Sequence, residues 1–241
     1  MQKKYLLGFD VGTSESKGTL TDLEGHVLAI ASAKHGIISP YPGFAEHDPI
    51  ADWMSDLKKV IRELLKQING RPEEIAAIGI STIMAAVTFV DENCEPLRNA
   101  ILYGIDTRCV KQTDEINEKI GIEKMQQEFG TICTVEHFGP KILWVKENEP
   151  EIFEKTKHIT FASGFLTARL TGNYYVDKYS ASSALPMLDV KKQQWNDELC
   201  GMICSKELLP EIADSTYAVI GTVTAKAAEE TGLARGTKVI C

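Results

Sequence analysis

The residues with the clearest chemical meaning lie near the start of the chain, where the apolar run Leu6-Leu7-Gly8-Phe9 ends on Asp10 and is followed by Gly12, Thr13, Ser14 and Lys17. A carboxylate at a strand end can hold Mg²⁺ directly or through water. The hydroxyls of Thr13 and Ser14 and the Lys17 ammonium add donors and one positive charge for a polyphosphate. Gly12 allows a tight turn, and the N–H groups of such a turn can cradle phosphate oxygens. The spacing predicts a phosphate and metal site, with Asp10 on the metal and Gly12, Thr13, Ser14 and Lys17 on the phosphates. An ordinary hairpin would use the same turn residues.

These residues need strands to hold them. Apolar runs predict strands near 5–10, 16–22 and 26–33, then at 75–80, 86–90, 157–161 and 238–241. Asp48 and Pro49 open a helix that runs to Gln67, with Trp53, Leu57, Val60, Ile61, Leu64, Leu65 and Ile68 on one face toward the sheet. Further helices are expected at 106–119, 139–148, 163–170 and 222–231, and the order of elements predicts an α/β fold. At 241 residues, with 44% of them hydrophobic, the chain can bury a sizeable core. The net charge of −8 and dispersed Lys and Arg disfavour nucleic acid as a partner. No apolar run reaches the ~20 residues needed to span a bilayer, and no signal peptide is evident, so a cytoplasmic protein away from membranes is expected. The six cysteines form no C-x-x-C pair and read as reduced thiols.

The turn and the strands after it resemble the opening of the actin/Hsp70/sugar-kinase superfamily, and within it the FGGY carbohydrate kinases. Ala45-Glu46-His47-Asp48-Pro49-Ile50-Ala51-Asp52-Trp53 resembles that family's E-x-D-P-x-x-W signature. Ala100-Ile101-Leu102-Tyr103-Gly104-Ile105-Asp106-Thr107-Arg108 resembles its A-I-L-W-x-D-x-R segment, and Gly139-Pro140-Lys141-Ile142-Leu143-Trp144 its P-K-L-L-W segment. Arg169-Leu170-Thr171-Gly172, then Asp177 and Ser180-Ala181-Ser182, continue the pattern, so the resemblance covers nearly the whole chain, with xylulose kinases the nearest in kind. It implies an RNase H-like (actin-like ATPase) domain with a mixed sheet and flanking helices. It also implies that residues 1–241 are the N-terminal lobe of such a kinase. The C-terminal lobe, with the aspartate that acts as general base and the adenosine site, would then lie outside this chain, which alone would not turn over.

Two loops are expected to meet the substrate. Gly79-Ile80-Ser81-Thr82-Ile83-Met84-Ala85-Ala86 matches the family's G-I-x-x-Q-M-H-G region in position, but Ile83 stands for the Gln and Ala85 for the His. Losing such polar groups alters sugar discrimination, by up to ~10⁴-fold in sites built around a substrate hydroxyl. Met84 stays in register to line the pocket. In the second loop Tyr103, where the family has Trp, can lie against the carbon face of a sugar while Asp106 accepts its hydroxyls; Asp106 and Arg108 can equally form an ion pair ahead of the next helix. Glu136 and His137 precede Gly139-Pro140-Lys141 in a loop that reaches the sugar in relatives, whereas Lys141 and Trp144 read as packing and surface. His26, His35, His47 and His158 read as structural.

The implied activity is transfer of a phosphoryl group from ATP, with Mg²⁺, to a hydroxyl of a small sugar or polyol, a ketopentose such as xylulose fitting the nearest relatives. The implied partners are that small molecule and the second lobe, and the resemblance admits a homodimer without requiring one. The turn alone also fits an actin-like assembling ATPase, and Ile83 and Ala85 fit a degenerate, sugar-sensing module.

Overall fold

The computed structural model describes residues 2–241. β1 (Tyr5–Val11), β2 (Glu15–Thr21) and β3 (Val27–Lys34) form an antiparallel meander in which burial alternates along each strand, because one sheet face is covered and the other is open. β4 (Glu46–His47) leads to Asp48, whose carboxylate accepts from the N–H groups of Ile50 and Ala51 while its own N–H donates to Asp52. This reciprocal cap opens a wide π-helical turn, Pro49–Met54, that continues into α1 (Ser55–Gln67). The helix expected from Pro49 to Gln67 is therefore present, with its first turn widened.

The chain continues through β5 (Ile75–Thr82), β6 (Val87–Val90), β7 (Ala100–Ile101), α2 (Val110–Ile120), α3 (Ile122–Phe129), α4 (Phe138–Asn148), α5 (Pro150–Lys155), β8 (His158–Phe161) and α6 (Ala162–Thr171). After β9 (Tyr175–Val176), α7 (Lys178–Ser182), β10 (Leu188–Asp189), β11 (Gln194–Trp195), α8 (Asp197–Gly201) and β12 (Glu211–Ile212), it closes with β13 (Val219–Thr222), α9 (Ala225–Thr231) and β14 (Lys238–Ile240). The main sheet has the order β13-β14-β5-β1-β2-β3, with β1, β5 and β14 parallel to one another and the other pairs antiparallel. It is the mixed sheet with flanking helices that the sequence implied.

Its covered face packs on α1, α6 and α9, joining Leu7, Phe9, Val11, Leu20, Ile78 and Val239 to Val60, Leu64, Phe165 and Ala227 in one core. Gly18 permits the close approach of α1, since a Cβ there would stand 2.2 Å from Val60 Cγ1. On the open face Leu6, Leu28 and Ile30 are 38%, 44% and 62% exposed, and Gly8 lies beside Gly79. A smaller sheet, β4-β7-β6-β8, carries its own core with α2, α3 and α4, where Phe138 stacks on Phe161 at 4.0 Å. The helix expected from 106 begins only at Val110, and Asp106 ahead of it is paired with Arg108. α3, α5, α7 and α8 are too short to leave a clear period in the sequence.

Candidate functional site

The turn between β1 and β2 is closed by Gly12 N–H donating to Glu15 O at 3.0 Å, and a Cβ on Gly12 would meet that same oxygen at 2.9 Å. Glycine is required there for space. Asp10 lies on the open sheet face, opposite Lys17 of β2 and Ser81 of β5, and the Ser81 hydroxyl donates to its Oδ1 at 2.5 Å. Lys17 is exposed and its Nζ is 2.9 Å from Glu15, whose carboxylate holds the ammonium above the usual lysine range. The N–H groups of Thr13 and Ser14 meet no protein acceptor among the described residues. Asp10, Gly12, Thr13, Ser14 and Lys17 are thus together at one edge of the sheet.

Behind the turn stand two histidines. His35 Nε2 donates to Gly12 O and His47 Nε2 to Thr13 O, both at 3.0 Å. Burial, with the neighbouring His35, pushes the His47 imidazole down to about 4. Beside the turn, the Tyr103 hydroxyl is 3.0 Å from Thr13 Oγ1, which ties the loop after β7 to the Gly12 turn.

The rest of that loop faces inward. Asp106 is fully buried, and its carboxylate accepts from Arg108 Nε at 2.9 and 3.0 Å, from Arg108 Nη2 at 2.7 Å and from the N–H of Ala45 at 2.7 Å. The Arg108 guanidinium also pairs with Glu46 at 2.7 Å and lies 3.9 Å from the centre of the Phe44 ring and 5.0 Å from that of Trp144. The direct sugar contact expected of Asp106 and Arg108 is not available in this geometry, because every Asp106 oxygen is already bonded and both side chains are sealed from the surface. Their alternative, the ion pair, is what forms. Lys141 is packed inside, as the packing reading allowed: it is fully buried, and its ammonium donates to the carbonyls of Val135 and, at 3.2 Å, His137, fixing the loop that carries Glu136. Burial pushes Lys141 down to about 8.

On the other side of Asp10, a cleft of about 420 Å³ opens between Ser81, Thr82 and Met84 on one wall and Tyr175, Asp177 and Tyr179 on the other. Ala85 is buried and Ile83 packs on the core, so Met84, 36% exposed, is the side chain that this segment shows to the cleft. Asp177 spends its carboxylate on the N–H groups of Tyr179 and Ser180 at the start of α7.

Among the described residues no three His, Cys, Asp or Glu side chains converge as a metal cage. Asp10 would therefore hold a cation with phosphate oxygens and water for company, a donor set that suits Mg²⁺. Sequence reasoning missed Ser81, His35 and His47. The parallel register that sets Ser81 against Asp10 has no sequence signature, whereas His47 sits inside a recognised segment and its burial was the missing signal.

The model of the N-terminal domain of the FGGY family of carbohydrate kinases matches residues 5–241. A xylulose kinase from Lactococcus lactis subsp. lactis (strain IL1403) is 34% identical over 236 residues, 98% of this chain and 46% of that protein. A glycerol kinase from Carboxydothermus hydrogenoformans is 31% identical over 224 residues, 90% of this chain and 44% of that protein. The crystal structure of a xylulose kinase from Rhodospirillum rubrum superposes with a TM-score of 0.90 at 26% identity, covering 98% of this chain and 49% of its own. The chain spans about half the length of the curated relatives it matches. The fold is accordingly the actin-like ATPase fold of the sugar kinases. These relatives carry kinase names and lend no support to an assembling ATPase or a sensor.

Proposed function

Since the chain belongs to the FGGY family of carbohydrate kinases, we propose that it supplies the phosphate turn and one wall of the acceptor cleft for ATP-dependent phosphorylation of a small sugar or polyol. One observation carries this reading. The end of β5 does two things at once, since Ser81 hydrogen-bonds Asp10 and, with Thr82 and Met84, lines the cleft. A phosphoryl group held at the turn and a hydroxyl held in the cleft would meet at that strand end.

The residues act by positioning and by charge. Asp10, oriented by Ser81, would hold Mg²⁺, which when bound supplies neutralisation of phosphate charge. The free N–H groups of Thr13 and Ser14 would bind phosphoryl oxygens, and the closed Gly12 turn keeps them in place. Lys17 adds charge that Glu15 partly offsets. Met84 bounds the acceptor on its apolar side, and Tyr103 braces Thr13 while offering its ring to the site. Asp106 and Arg108 hold the Tyr103 loop from within. The general base and the adenosine site belong, in this reading, to the second half that the longer relatives possess.

A ketopentose such as xylulose is the acceptor that the xylulose kinase relatives favour, and the segment 83–85, which turns Ile83 and Ala85 into the core and shows only Met84 to the cleft, is where this chain would depart from them. A cytoplasmic setting is supported by six free cysteines, five of them buried, with burial pushing Cys133 and Cys204 up to about 12. Among the described residues no helix is long and apolar enough to cross a membrane.

The test is ADP release across ketoses, aldoses, aldonic acids and polyols by a polypeptide in which residues 1–241 are followed by the second half, with residues 1–241 alone as control. Acceptor-dependent ADP from the longer protein supports the reading and names the sugar. ADP release that ignores every acceptor overturns it.

A further inference from the structure

Two imidazoles behind the phosphate turn take no part in the chemistry above. A trans peptide points its C=O and the N–H of the next residue in opposite directions. A carbonyl fastened to the protein interior therefore aims the following N–H outward. Gly12 O is fastened by His35 Nε2, Thr13 O by His47 Nε2, and Ser14 O by the His35 backbone N–H at 3.1 Å. Three successive carbonyls are thus drawn back by two residues.

We propose that His35 and His47 are positioning residues that clamp the Gly12 and Thr13 carbonyls and so aim the Thr13 and Ser14 N–H groups at phosphoryl oxygens, with Asp56 and Trp53 deciding which ring nitrogens carry protons. This rests on the phosphate-site reading of the turn.

The protonation states are set by the partners. The Trp53 indole can only donate, and its N–H points at His47 Nδ1 at 3.1 Å. Nδ1 must then be the bare nitrogen and Nε2 the protonated one, the tautomer that can donate to Thr13 O. His47 is fully buried and its charged form is disfavoured by that burial and by His35, which keeps it neutral. His35 differs, because both of its nitrogens face acceptors, Asp56 Oδ2 at 2.8 Å and Gly12 O at 3.0 Å. Asp56 thus holds the Nδ1 side of the ring and Gly12 O the Nε2 side, and the His35 and Asp56 side chains are each only 1% exposed. Lys59 stands 3.3 Å from the other Asp56 oxygen, and Asp52 lies on the same turn of helix entry. The two rings meet edge to face, centroids 4.6 Å apart at 74°, so one cannot tilt without the other. Trp53, expected as core, is also the group that sets the His47 tautomer.

The experiment uses residues 1–241 labelled with ¹⁵N. Imidazole ¹⁵N spectra at neutral pH should show His47 as the Nε2–H tautomer. Amide spectra titrated with Mg·ATP, and separately with inorganic pyrophosphate, should move Thr13 and Ser14. Glutamine keeps one N–H donor and one acceptor near the imidazole positions, so His47→Gln should stay within about threefold of wild-type affinity, while His47→Leu should lose about tenfold or more. Trp53→Phe should mix the His47 tautomers and weaken binding, with the protein still folded by its thermal transition. A merely structural role would leave tautomer and affinity unlinked. Folded His47→Leu or Trp53→Phe variants that bind both probes as tightly as wild type overturn the proposal while sparing the phosphate site, as does a His47 found in the other tautomer. Wild-type protein that binds neither probe overturns the phosphate site and this proposal together.

Discussion

The turn from Asp10 to Ser14 and the loop from Tyr103 to Arg108 contain the same kinds of residue, and they use them in opposite directions. In the turn the carbonyls are fastened inward, and a carboxylate and two N–H groups are left facing out. In the loop the charges are fastened inward, Asp106 and Arg108 against each other and against Glu46, and only Tyr103 looks toward the turn. A polar residue is available for chemistry when something else satisfies the atoms around it. Where it satisfies them itself, it becomes scaffold.

Arg108→Leu should disturb this contrast most. It leaves Asp106 and Glu46 as buried carboxylates short of a partner, a change that costs ~3–5 kcal/mol, and urea unfolding should show it. A loss below ~1 kcal/mol would mean that the loop's charges are not its framework. Acid separates the two regions in another way. The unfolded His47 imidazole takes a proton near 6.5 and the folded one only near about 4, so the unfolded state binds more protons between those values. Stability should therefore fall as pH drops from 6.5 toward 4, by up to ~3 kcal/mol, and His47→Gln should remove that part of the slope. An unchanged slope in the variant would place the titration elsewhere. Asp10→Asn, on an exposed side chain, should leave the thermal transition in place and lower kcat of the two-lobed protein by ~10²-fold or more. Unaltered kcat would remove Asp10 from the metal role. The smallest effect is expected of Tyr103→Phe, which deletes one hydrogen bond between the regions at ~1 kcal/mol, or about 2–4 °C in Tm.

What could be read from the sequence divides along the same line. The strands around Asp10 and the capped helix to Gln67 are local features, and each left a local mark. The tight turn from Asp10 to Ser14 was legible because strand, carboxylate, glycine and hydroxyls are contiguous. Partners distant in sequence were not. Nothing near Ser81 says that it will sit across from Asp10, 71 residues away, and nothing near His35 says that Asp56 will meet it from α1. Asp106 and Arg108 matched a family segment in type and spacing, which says that the pair matters and is silent on which way it points. Glu46, two residues before the helix cap, belongs to a recognisable signature, yet its role as the anchor for both Arg98 and Arg108 is visible only in the fold.

The open face of the main sheet will shape how this chain behaves in a tube. Leu6, Leu28 and Ile30 leave apolar surface on this face around Gly8 and Gly79, away from the polar end that carries Asp10 and Lys17. Surfaces of that kind draw like molecules together and take up hydrophobic dyes. Attraction between copies of residues 1–241 through this patch would grow with concentration and with salting-out ions. A dilute, low-salt sample is the state in which the chemistry of the turn can be seen by itself.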